Sequence, residues 1–180
     1  MKTAKRRVRV ERKTRETEIA LELDLDGEGR ARVATGVGFL DHMLTSLATH
    51  ARFDLSVRCK GDLHVDAHHS VEDVGIVLGQ ALKQALGDKR GVVRFGHAYC
   101  PLDEALTRAV VDLSGRPWLS FVAQFRAQRV GDLPTELVED FFRALCDNAR
   151  VCLHLEMIRG RNAHHIIEAL FKATARALAM

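Results

Sequence analysis

Aromatic side chains are scarce in this 180-residue chain, at 6% with one Trp and one Tyr. Proteins that hold single-stranded nucleic acid stack its bases on aromatic rings, and no such platform is visible here. Net charge is also lacking: 27 Lys and Arg face 24 Asp and Glu, a formal +3, so any phosphate recognition has to be local. No apolar run approaches the roughly 20 residues of a membrane-spanning helix, and no apolar secretory core follows the basic start. The expected compartment is the cytoplasm, or a plastid if a transit peptide has been removed. The four cysteines, Cys59, Cys100, Cys146 and Cys152, show no C-x-x-C spacing and read as reduced, mostly buried thiols.

What is present is a 47% apolar fraction, enough for one substantial core. The basic start (Lys2, Lys5, Arg6, Arg7, Arg9, Arg12, Lys13, Arg15) reads as the solvated face of a strand. Val8 and Val10 alternate with its charges, and Ile19, Leu21, Leu23 and Leu25 continue the two-residue period. Periodicity predicts strands near 7–12, 17–25 and 30–34, a helix over 39–51, a strand over 53–60 and a helix over 70–87. After the break Gly87-Asp88-Lys89-Arg90-Gly91 it predicts strands near 92–99, 104–112 and 118–126, then a helix over 135–149, a strand over 151–157 and a helix over 163–179.

The order of elements is the same in both halves. His68-His69-Ser70-Val71-Glu72 recurs 96 residues later as His164-His165-Ile166-Ile167-Glu168, each copy opening the last helix of its half. These observations predict an α+β fold made of one domain with two repeats, about 1–90 and 91–180, and helices packed on one face of each sheet.

Imidazole and carboxylate together suit divalent manganese, iron or zinc rather than thiolate-selected metals. On a helix the first His and the Glu of each motif stand at i and i+4, and the second His and Glu at i and i+3, so the Glu can share an ion with either. Adjacent side chains diverge by about 100°, which keeps neighbouring histidines from chelating one ion. Each motif is therefore expected to serve two metals. His68, His69, Glu72, His164, His165 and Glu168 leave two shells short, and the best further donors are His42 in Phe39-Leu40-Asp41-His42-Met43-Leu44 and His154 on the strand before the second motif. Spacing alone leaves those two between ligand and structural histidine. His50, His64 and His97 read as structural. Eight ligands over two ions leave open positions, the mark of a catalytic site.

At these residues the chain resembles the imidazoleglycerol-phosphate dehydratase family. The resemblance runs through Arg12–Thr17, Gly38–Leu44, His68–Gly75, Arg94–Ala98, Asp112–Pro117 and Asn162–Glu168. It implies a duplicated fold whose repeat is similar to a ribosomal-protein domain, a homo-oligomer of twenty-four subunits, and two manganese ions per subunit held between neighbours. It also implies His42 and His154 as ligands. The implied reaction removes water from imidazole-glycerol phosphate to give imidazole-acetol phosphate, a step of histidine biosynthesis. The side-chain proton to be lost is not acidic enough to leave unaided, and two Lewis acids on the ring nitrogens would stabilise an imidazolate that acts as electron sink.

By the same resemblance Glu16 is the acid/base residue, and Arg94, Arg116 and Lys172 hold the phosphate, a task suited to guanidinium forks and ammonium groups. The substrate then lies against Glu16, His42, His68, His69, Glu72, His164 and His165 as well as those cations. Ser46 stands where the family usually has glutamine, and the family's phosphate-closing tail would follow the last helix, beyond Met180. The same ligands would also suit a dinuclear hydrolase that activates water, or sites serving only as assembly staples. A nucleic-acid module is the weakest alternative, and no membrane or nucleic-acid partner is expected.

Overall fold

The computed structural model describes residues 6–180, so Lys2 and Lys5 of the basic start lie outside the described residues. The first repeat runs β1 (Arg7–Lys13), β2 (Thr17–Asp24), β3 (Ala31–Ala34), α1 (Gly38–Ala51), β4 (Asp54–Gly61) and α2 (His68–Leu86). The second runs β5 (Phe95–Leu102), β6 (Ala105–Asp112), β7 (Trp118–Val122), β8 (Arg129–Val130), β9 (Leu133–Pro134), α3 (Leu137–Ala149), β10 (Cys152–Arg159) and α4 (Ala163–Leu178). The sheets share one topology, β1-β2-β4-β3 and β5-β6-β10-β7, with a parallel final pair in each. This is the duplicated α+β arrangement expected from the pattern.

Alternation builds the sheets. Along β2, Thr17, Ile19, Leu21 and Leu23 are buried while the residues between them face outward, and Leu153 and Leu155 do the same on β10. The helices cover the inner faces and pair across the repeats, α1 against α4 and α2 against α3, so one hydrophobic core joins both halves. No described helix is long and apolar enough to cross a membrane.

Strand registers show where the copies differ. Arg7 faces Asp24 as Phe95 faces Asp112, an offset of 88 for the first hairpins. Asp24 faces Asp54 as Asp112 faces Cys152, which makes the offset 98 by the strand after the first helix. The second repeat therefore carries ten extra residues between β7 and α3, where β7 ends at Val122 instead of running to 126 and the β8–β9 ribbon follows. Strands of two residues are too short to leave a periodic signal.

The α2–α3 crossing is tight at Gly79, where a Cβ would stand 2.6 Å from the Leu145 carbonyl oxygen and 2.9 Å from the Ala149 nitrogen. Both obstacles are backbone, which cannot swing aside. Gly79→Ala is expected to lower stability by about 1–3 kcal/mol, overpacking outweighing the gain in helix propensity. A raised midpoint in denaturant unfolding would contradict this packing.

Candidate metal and acid/base site

Both motif helices start the same way. Asp66 accepts a hydrogen bond from the His68 backbone N–H at 2.8 Å, and Asn162 accepts one from that of His164 at 2.9 Å. These Asx residues, 96 apart, satisfy an orphan helix donor and set each HHxxE on the first turn.

Helix pitch then divides each motif. His164 Nε2 lies 3.1 Å from Glu168 Oε2, and His68 Nε2 lies 3.8 Å from Glu72 Oε2, both at i,i+4. The adjacent rings stand nearly perpendicular, at 84° for His68 and His69 and 78° for His164 and His165. The second histidines face other carboxylates, with His69 Nδ1 3.0 Å from Asp62 and His165 Nδ1 2.7 Å from Glu104. Those contacts raise the pKa of each imidazole, chiefly through the hydrogen bond itself.

The fold brings His42 from α1 to the second motif. His42 Nε2 is 3.4 Å from Glu168 Oε2, and one donor atom from each of His42, His164 and Glu168 lies within 4.8 Å of the others. Glu168 Oε1 pairs with Lys172 Nζ at 2.7 Å. Burial alone would raise the Glu168 carboxyl, but Lys172, His164 and His42 outweigh it and hold it below its usual range. The Phe39 ring packs edge-on against His164, with centroids 4.9 Å apart.

By the internal repeat, the counterpart of His42 in the other half is a carboxylate. The 98-residue offset carries Met43–Arg52 onto Phe141–Arg150, with matching burial at every position and left-handed Arg52 and Arg150 closing the helices. By that offset His42 corresponds to Asp140, a half-buried residue on the first turn of α3. Sequence reasoning passed over Asp140 because the helix repeat does not share the 96-residue offset of the HHxxE copies.

His154, expected as a donor, is turned away. It alternates with buried Leu153 and Leu155 and stands on the outer face of its sheet, lining a cavity of about 300 Å³ with Arg108, Val110, Ser120, Val122 and Glu156. The helices carrying the motifs lie on the opposite face, so this chain brings His154 to neither cluster.

Glu16 sits exposed in the β1–β2 turn, near enough to His69 for its charge to act on the ring. The hairpin is pinned to α2 by Asp73, which accepts from the Thr17 hydroxyl at 2.5 Å and pairs with Arg12 at 3.0 Å. Of the anticipated phosphate cations, Arg94 makes a two-point contact with Asp112 at 2.7 and 3.1 Å, with Arg116 close to the same carboxylate. Asp112 and Glu104 bound opposite ends of β6, roughly 25 Å apart at the usual strand rise. Arg94 and Arg116 are thus remote from His165 in one chain, while Lys172 stands beside Glu168. Ser46 is buried, and its hydroxyl has no partner among the described residues.

The inserted ribbon serves the His42 helix. Val37 caps α1 without a side-chain bond, and Asp132 in the β8–β9 turn accepts from the Gly38 and Phe39 N–H groups at 2.5 and 3.0 Å. Burial would raise the Asp132 carboxyl, but these donors prevail and lower it. Asp132→Ala is expected to cost about 1 kcal/mol, as removal of a cap does. The cost is present in full above the ordinary carboxylate range and fades as acid protonates Asp132 in the folded protein. A loss equally large at pH 2 and pH 7 would contradict the cap.

Comparison with known proteins agrees with this architecture. A family model described as imidazoleglycerol-phosphate dehydratase matches residues 35–178. An imidazoleglycerol-phosphate dehydratase of Gluconobacter oxydans is 59% identical over 173 residues, spanning 96% of this chain and 87% of the relative. One from Acetivibrio thermocellus is 56% identical over 173 residues, spanning 96% and 89%. The crystal structure of the Staphylococcus aureus enzyme superposes with a TM-score of 0.87 at 45% identity, covering 96% of each chain. That from Pyrococcus furiosus superposes with a TM-score of 0.83 at 35% identity, covering 94% and 91%. With the motif, the repeat and a match over most of the chain in agreement, the chain belongs to the imidazoleglycerol-phosphate dehydratase family.

Proposed function

We propose that this chain converts D-erythro-imidazole-glycerol phosphate to imidazole-acetol phosphate in histidine biosynthesis, using two divalent manganese ions per subunit in a homo-oligomer of twenty-four subunits. The observation that carries the reading is the convergence of His42, His164 and Glu168, drawn from both repeats onto one point. Two imidazole nitrogens and a carboxylate oxygen suit a borderline or hard divalent ion, so the donor set fits manganese.

His42, His164 and Glu168 would hold one ion, and His68, Glu72 and Asp140, in place of His154, the other. His69 and His165 point away from their own motif's glutamate, which suits them to complete shells on neighbouring subunits. The remoteness of Arg94 and Arg116 from His165 supports the same arrangement, since a substrate lying against that histidine would draw these phosphate contacts from another chain. Bound metal supplies Lewis acidity that lets the substrate's imidazole ring accept electrons.

Glu16 takes or relays the proton from the middle side-chain carbon, the one that becomes the ketone. The hydroxyl on the adjacent carbon departs as water, and the resulting enol becomes the ketone. Arg94, Arg116 and Lys172 hold the phosphate and so fix the side chain relative to Glu16. Lys172 is already oriented by Glu168, tying phosphate recognition to a metal ligand.

Chelation of the purified oligomer is expected to abolish dehydration and to lower its solution mass, and added manganese to restore both. If metal-replete protein left imidazole-glycerol phosphate unchanged, the reading would fail. Turnover with no dependence on metal would be equally damaging. Glu16→Gln is expected to lower kcat about 100-fold or more while manganese uptake stays at two equivalents, measured by elemental analysis beside steady-state rates.

A further inference from the structure

The two hairpins and the two motif helices carry one contact that duplication did not copy. By the 88-residue offset of the first hairpins, Glu16 in the β1–β2 turn corresponds to Glu104 in the β5–β6 turn. By the 96-residue offset of the motifs, His69 corresponds to His165. Glu104 accepts the Nδ1 contact of His165 at 2.7 Å and is itself fixed by the backbone N–H groups of Arg161 and Asn162 at 3.1 and 2.7 Å. The Asn162 N–H and the histidine contact bring its pKa down to about 2, so it stands as a carboxylate. A faithful duplicate would place Glu16 on Nδ1 of His69.

Asp62 occupies that role instead, with oxygens 3.0 and 3.2 Å from His69 Nδ1. The Glu16 carboxylate makes no hydrogen bond or ion pair among the described residues, although its charge is near enough to act on the ring. Asp62 has no carboxylate counterpart: it follows β4 directly, and the 98-residue offset of β4 and β10 leads to Gly160. The same contact on equivalent histidines therefore comes from unrelated chain positions. Inheritance by duplication does not account for it, which leaves the contact itself as what is kept.

We propose that Asp62 and Glu104 are positioning residues that hold Nδ1–H of His69 and His165 and so present each Nε2 to a divalent cation, and that Asp62 thereby frees Glu16, the duplicate of Glu104, to face substrate. A neutral imidazole has one N–H and one lone pair, and a carboxylate at Nδ1 settles which nitrogen has which. It also fixes the ring plane. The inference rests on the metal reading above and adds a division of labour to it: one hairpin glutamate orients a ligand, and its duplicate is released for proton transfer.

The test uses the full chain with manganese as probe. Asp62→Ala, Asp62→Asn and Glu104→Ala are compared with the unaltered protein by calorimetric titration of the metal-free form, by elemental analysis, and by thermal unfolding as a control for folding. Each alanine variant is expected to weaken manganese binding 10- to 100-fold at one of the two equivalents while the metal-free melting profile stays close to that of the unaltered chain. Asp62→Asn, whose amide oxygen still accepts from Nδ1–H, is expected to retain most of the affinity even if the alanine variant folds poorly. At saturating manganese, Asp62→Ala is expected to lower kcat more than it raises KM, because Glu16 is drawn onto the free Nδ1. Unchanged manganese affinity in both alanine variants, or an asparagine variant as weak as alanine in a folded protein, would overturn the proposal. If the unaltered chain takes up no manganese, the metal reading falls with it; if it takes up two equivalents and the alanine variants match it, only the positioning roles fall.

Discussion

Glu168 is the point at which the two repeats meet through polar groups. One carboxylate oxygen faces His164 on its own helix and His42 from the first repeat, and the other takes the ammonium of Lys172. With its side chain 12% exposed, the charge is screened little by water and depends on those partners. Helix pitch supplies the rest of the constraint. It sets His164 and Glu168 on one face and turns His165 toward another, so a motif of five residues addresses two places at once.

Duplication provided the frame, and departures from it made the halves unequal. The ten-residue insertion before α3 lets Asp132 reach across to cap α1, so the second repeat orients the helix that carries His42. Where α1 offers His42, α3 offers Asp140. Where one hairpin glutamate is bound to a histidine, Asp62 takes the equivalent contact in place of its duplicate Glu16. Each change leaves the sheets and the shared core intact, because the altered residues lie in turns and on first helical turns, away from the buried faces.

Much of this was legible in the residues. The two-residue alternation of Ile19, Leu21 and Leu23, the helical runs and the repeated HHxxE together specified the duplicated α+β architecture, since periodicity is a local property. Spacing also separated the adjacent histidines. What stayed hidden depended on register. His154 lies next to the second motif in sequence, yet strand alternation turns it to the outer face, which a ligand list cannot reveal. Asp140 emerges only once the β8–β9 insertion is recognised, because the offset changes along the chain. Asp62 and Glu104 look like ordinary turn carboxylates until the fold sets them against His69 and His165. Glu104 and His165 stand 61 positions apart, and Asp62 reaches His69 across the turn between β4 and α2, so neither contact leaves a mark on a periodic pattern.

The central claim is that both repeats build one metal site at Glu168. Diffraction from manganese-loaded crystals, recorded at a wavelength where manganese scatters anomalously, tests it most directly. The account expects an anomalous peak within bonding distance of His42 Nε2, His164 Nε2 and Glu168. A map with manganese elsewhere, or with those three side chains paired only to one another, would contradict it.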